Sequence, residues 1–384
     1  MSLIPPDVID GVIGNQGYIP IENKLGMRQL AYVSTQGSEY LFPDHLAVET
    51  ERGMTRSKVA SVMESIATGK HWSANPIGTF GAAWGDMGLH NETFWLGWSA
   101  VAQAGWNPGG ASAEQHVAEF MNLYYGPRAV GMTDIYRSLQ RQARSWANTW
   151  DRVISRVRGP GYGNSYGPGR GTERRDMTLS PPALPAMPDL TRESFINEKY
   201  GKFIEDARAR MQENERLIEA LMANIGRVDR NRYNLEVLLS LARFTGQHWR
   251  LLNAFAEAER TLDAARDAAQ KKNPQQAVSS MVTAYNAMDR IRSDGEKMFA
   301  DLTAVFEKSQ FPKGRTVDGR KFVHVLDDTK DHWADRTPDL RYMMQPERSI
   351  GLDKWAKDLY GVIHAYAKVH NVQVRGFAEA RLEQ

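Results

Sequence analysis

Short apolar segments alternate with loops in the first part of the chain, and long helical stripes fill the second. Val12–Gly14 and Leu30–Ser34 each precede loop residues and predict strands. Ser57–Thr68 (SKVASVMESIAT) sets apolar residues at helical spacing behind a serine suited to an N-cap. Gly78–Trp84 (GTFGAAW) predicts a strand of small residues, followed by a Gly-Asp turn and an apolar helix from about Glu92 to Gly105, with Asn91 as its cap. Strand, helix, strand, helix is the rhythm of parallel βα units. Ala113–Tyr125 and Met132–Arg156 follow as amphipathic helices.

From about residue 192 to 308 the period is helical throughout. Leu235, Leu238, Leu239, Ala242, Trp249, Leu252 and Ala256 share one broad stripe, and Met211–Val228 and Pro274–Phe306 carry similar ones. Three long helices with polar outer faces predict an antiparallel bundle. Asn273-Pro274 breaks the pattern and places a proline at the first helical position. Leu352–Val369 predicts a closing helix. Between the halves, RGPGYGNSYGPGRG and SPPALPAMP read as an exposed Gly/Pro-rich connector. The expected organisation is α/β over 1–157, a linker over 158–190 and an all-α region over 191–384.

Composition narrows the function classes. The 384 residues, 42% hydrophobic, can bury a sizeable core and suggest two domains. A net charge of +2, spread along the chain, argues for no nucleic-acid partner and no anionic membrane surface. The absence of cysteine excludes disulfides, thiolate nucleophiles and cysteine-ligated zinc. No eighteen-residue apolar run predicts a transmembrane helix, and the N-terminal residues do not form a signal peptide.

The candidate chemistry lies in GTFGAAWGDMGLHNETFWLGWSAVAQAGWNP, residues 78–108. Trp84 and Asp86 sit where the strand enters its turn. An indole face stacks on the apolar face of a sugar ring, and a carboxylate accepts hydrogen bonds from its hydroxyls. A core indole beside a helix-capping aspartate accounts for the same residues equally well. Trp95, Trp98 and Ala102 recur at helical spacing and, with Trp106, predict packing of helix on sheet. His90, Asn91 and Glu92 lie between strand end and helix, with His90 a possible pocket residue.

This stretch resembles the last strand and helix of the catalytic barrel of family 20 glycoside hydrolases, the β-N-acetylhexosaminidases. The matching positions are Trp84, Asp86 and Ala102 to Trp106. The resemblance implies that Trp84 walls the pocket for the terminal sugar and that Asp86 binds its outer hydroxyls. RQLAYVSTQGSEYLFPDH resembles the preceding strand and loop, which implies a contact to the acetamido group from Tyr40, with Tyr32 as competitor, and a sugar-hydroxyl contact from Asp44. VIGNQGYIP stands at the strand before that and offers Asn15, Gln16 and Tyr18. The fold implied is a partial (β/α)8 TIM-type barrel, its last two or three βα units, with an appended helical bundle.

The family's reaction is substrate-assisted retaining hydrolysis, in which an adjacent Asp-Glu pair orients the acetamido group and donates the proton. This sequence contains no Asp-Glu dipeptide. The chain is therefore expected to be the C-terminal portion of a longer glycosidase or a degenerate paralogue, inactive alone. Its abrupt start favours the fragment. A partial barrel leaves open sheet edges through which chains can pair. Relatives are commonly exported in bacteria. A non-catalytic carbohydrate-binding or helical scaffold protein is the alternative. HVLDDTKDHWAD, residues 324–335, matches neither a HExxH helix nor an EF-hand loop and reads as a solvated loop. No metal or cofactor is expected.

Overall fold

The computed structural model describes residues 11–14, 19–36, 41–50, 53–69, 75–83, 90–148, 180–309, 316–317, 320–321 and 350–378. They divide into two compact units. The first takes the chain as far as Arg144 together with Leu217–Leu239, and the second takes most of the remainder. Among the described residues the chain is mostly helical, with one small parallel sheet.

That sheet belongs to the first unit. Its strands β1 (Val12–Gly14), β2 (Gln29–Gln36) and β5 (Pro76–Ala83) lie side by side in chain order, all parallel. Helix α1 (Ile19–Lys24) lies between β1 and β2 in the sequence, and α2 (Lys58–Ala67) between β2 and β5. A two-residue ladder, β3 (Glu49–Thr50) with β4 (Gly53–Met54), precedes α2. Ser57 caps α2 as its sequence predicts, its hydroxyl accepting the Ala60 N–H at 3.0 Å.

Ala31, Val33 and Thr35 of β2 are buried on the face that receives α3 (Trp95–Trp106). The fit there is close. A Cβ on Gly97 would stand 2.9 Å from Thr35 Cβ, one on Gly105 would stand 2.5 Å from Thr79 Oγ1, and one on Gly81 would stand 3.0 Å from Val101 Cγ1. Only a residue without a side chain permits such contact at Gly97 and Gly105, and the buried stripe of α3 is Leu96, Gly97, Ala100, Val101 and Ala104.

This overturns the expected packing role of Trp95, Ala102 and Trp106, while Trp98 packs edge-on against the buried Phe94. Trp95 and Trp106 are 41% and 91% exposed, Ala102 is exposed and Trp98 is half-buried. An indole cannot enter a contact that leaves no room for a methyl group, so the helix turns Trp95 and Trp106 outward. Helices α4 (Ala113–Tyr125) and α5 (Met132–Asn148) follow. Ser112 and Gln115 form a reciprocal capping box at the start of α4.

The second unit holds long helices. Its parts of α6 (Ile196–Ile225) and α7 (Arg232–Gln270) join α8 (Pro274–Glu307) and α9 (Leu352–Val369). Bonding between Asn214 and Ala242, Ile196 and Glu259, Gln247 and Ile291, and Arg292 and Asp353 sets successive helices antiparallel. Asn273 caps α8, with Pro274 in its first turn. In the second unit's part of α7, Ala242, Trp249 and Leu252 are buried and Ala256 is half-buried; Leu235, Leu238 and Leu239, which belong to the first unit, are buried as well.

His248 is buried beside Trp249, and desolvation lowers its pKa to about 3, so the ring is neutral. The end of the Gly/Pro-rich stretch is not a free connector. The Trp355 indole N–H donates to Pro182 O at 2.6 Å, the Ser180 N–H donates to Tyr200 Oη at 3.1 Å, and Leu190 is fully buried.

Candidate functional site

The direction of α3 locates the C-terminal edge of the sheet. Gly105 lies against Thr79 and Gly97 against Thr35, near the end of β2, so the helix runs back along the strands from their C-terminal ends. Residues 90–94 therefore sit at that edge. In parallel α/β folds this is the edge where ligands bind. Trp84 and Asp86 follow β5 directly in the sequence, but they and Tyr40 lie outside the described residues, as do Asn15, Gln16, Tyr18 and residues 324–335.

His90 and Asp44 are described. His90 is buried and caps a single 3-10 turn, Asn91–Thr93, its Nδ1 accepting the Glu92 N–H at 3.1 Å. It thus takes the capping role that the sequence assigns to Asn91. With Nδ1 occupied as an acceptor, the ring proton resides on Nε2, which donates to Tyr233 Oη at 3.0 Å. Burial lowers the His90 pKa to about 4. A neutral, doubly bonded imidazole makes this residue an anchor for the turn.

Asp44 receives a two-pronged ion pair from Arg144. Nε donates to Oδ1 at 2.7 Å and Nη2 to Oδ2. Any sugar hydroxyl would share this carboxylate with the guanidinium. The neighbouring His45 is fully buried, its Nε2 bonds Thr93 O at 2.8 Å, and desolvation lowers its pKa to about 4. Tyr32 lies on the sheet face opposite α3 and stacks on Phe80, ring centres 6.0 Å apart.

Sequence reasoning missed the cluster around Glu92. Asn234, near the start of α7, is fully buried; its Nδ2 donates to Glu92 O at 2.7 Å and to Glu92 Oε2 at 3.1 Å. Its Oδ1 accepts the Tyr125 hydroxyl at 2.6 Å, and Tyr125 Oη pairs with Tyr136 Oη at 2.8 Å. The Tyr124 hydroxyl also points to Glu92 Oε2, at 3.4 Å. Burial, first of all, pushes the pKa values of Tyr124, Tyr125 and Tyr136 upward, so these phenols act as neutral donors. Tyr233 and Asn234 are separated from Glu92 by more than 140 positions, and no local pattern announces the pairing.

No group of three acidic or imidazole side chains among the described residues has metal-site geometry. No described helix is long and apolar enough to cross a membrane. Comparison with protein-family models, with curated proteins and with solved structures returns no match.

Proposed function

We propose that this chain is the C-terminal portion of a family 20-type glycoside hydrolase, contributing the last two or three units of a (β/α)8 barrel and part of the pocket for a terminal β-linked N-acetylhexosamine. The observation that carries this reading is the sheet. Three parallel strands follow one another without a reversal of order, as consecutive barrel strands do, and α2 and α3 accompany them. The face away from α3 carries Ile13, Leu30, Tyr32 and Phe80, with Ile13 51% and Phe80 42% exposed. Parallel sheets are ordinarily covered on both faces, and in a barrel this face is the filled interior.

In this reading Trp84 stacks on the sugar and Asp86 accepts hydrogen bonds from its hydroxyls. Tyr40, Asp44 and His90 belong to the surrounding wall, His90 by fixing the turn that follows the binding segment. Substrate-assisted hydrolysis needs the Asp-Glu pair that this chain lacks, so it has no hydrolytic activity of its own. The ligand is a carbohydrate, and no cofactor takes part.

The reading is tested in the coding DNA. An in-frame barrel segment bearing an Asp-Glu pair is expected upstream of Met1. A stop codon immediately upstream would remove the fragment interpretation and leave a carbohydrate-binding paralogue.

A further inference from the structure

Val372–Ala378, the last described residues of the second unit, run along α8 and α9 without regular secondary structure. The Val372 N–H donates to Ala367 O at 2.9 Å and turns the chain back after α9. Val372 and Val374 are half-buried while Gln373 and Arg375 are exposed, the alternation of an extended strand. Asn286 of α8 then grips the backbone on both sides of Phe377. Its Nδ2 donates to Gly376 O at 2.7 Å, and its Oδ1 accepts the Ala378 N–H at 3.1 Å.

Phe377 enters an aromatic pocket. It meets Tyr285 edge-on at 5.0 Å, Tyr360 at 5.1 Å and the His364 ring at 5.9 Å, nearly parallel. Gly376 has φ +85°, a left-handed conformation that ordinary side chains rarely adopt, and this conformation presents its carbonyl to Asn286. Backbone bonds that ignore side-chain identity, combined with a pocket for one anchor, are the means by which grooves recognise extended peptides.

We propose that the α8–α9 face is a peptide-docking groove that reads a Val-x-Val-x-Gly-Phe segment, occupied in cis by residues 372–378, and that this segment is a detachable latch. The connection from the end of α9, His370 and Asn371, is two residues long, so the effective concentration of the latch is high, on the order of millimolar or above. A competing peptide gains access only when the chain's own latch is weakened. The groove does not depend on the carbohydrate reading.

The test titrates a fluorescein-labelled peptide of residues 371–380 (NVQVRGFAEA) with the full-length chain and follows anisotropy. Phe377→Ala, which empties the pocket, is expected to bind the peptide saturably and at least about tenfold more tightly than the unsubstituted chain. Gly376→Ala, which opens the latch without touching the pocket, should do the same. Adding Asn286→Ala to either variant should lower the affinity at least about tenfold, with helical content unchanged by circular dichroism. Binding by the variants no tighter than by the unsubstituted chain, or unaffected by Asn286→Ala, would overturn the proposal.

Discussion

At the scale of single residues, the buried histidines determine how the protein responds to acid. His45 and His90 have folded-state pKa values of about 4, well below the usual 6.5, with desolvation the leading cause. A depressed histidine pKa means that the unfolded chain binds the extra proton between pH 6.5 and 4 while the folded chain does not. Stability is therefore fully present above pH 6.5 and falls as pH drops toward 4, by up to about 1.4 kcal/mol per pH unit for each such residue. Urea unfolding at pH 7, 6 and 5 should show this slope, and His45→Gln should flatten it while lowering stability at pH 7. An unchanged slope would mean that His45 is protonated in the folded state. The tryptophans show where sequence reading stops at this scale. Spacing identified a helix but not which stripe faced inward, because the decisive facts are Thr35 and Thr79 on other strands, against which Gly97 and Gly105 fit.

At the scale of elements, the contact between α3 and the sheet leaves no spare volume. Gly97→Ala should raise intrinsic helix propensity by about 1 kcal/mol, yet its methyl group meets Thr35 Cβ at 2.9 Å. Overpacking costs about 1–3 kcal/mol, so net destabilisation is expected in urea titrations. A stabilised variant would show that the helix can shift. Helix ends are secured across long sequence distances. Glu259 of α7 is buried and accepts the N–H groups of Phe195, Ile196 and Asn197 at 2.8–3.2 Å, supplying a carboxylate to the first turn of α6, and it also pairs with the buried Arg192. Glu259→Ala strands the Arg192 cation, although Asp263 partly retains it, and should cost about 3–5 kcal/mol. A loss below about 1 kcal/mol by chemical denaturation would contradict this assignment.

Side-chain amides recur as backbone clamps. Gln140 takes both polar groups of Leu46, Asn224 takes both of Val130, and Asn286 brackets Phe377. The parallel strands, the longer helices, the Ser57 cap and the proline that opens α8 were legible in the sequence, since each depends on neighbours within a few positions. The clamps and the Glu259 cap were not, since each joins residues more than 60 positions apart.

At the scale of the whole molecule, the parallel sheet and the long helices follow from the change in hydrophobic period. The composition of the first unit does not. Leu217–Leu239 joins the sheet-bearing unit through Asn234 and Tyr233, while the end of the Gly/Pro-rich stretch packs within the helical one. Exposed large apolar side chains, Ile13, Ile77, Phe80, Trp95 and Trp106 among them, concentrate in the first unit among the described residues. Ile13 and Phe80 belong to the sheet face away from α3, whereas Trp95 and Trp106 lie on α3 itself.

The most direct test of the central claim is ligand-observed NMR of N-acetylglucosamine with the full chain, comparing the unsubstituted protein with Asp86→Ala. Saturable binding is expected, weakened on substitution by about 1.5–3 kcal/mol, the loss of charge-assisted hydrogen bonds to the sugar hydroxyls. Equal binding by a folded Asp86→Ala variant, or no binding by either protein, would contradict it.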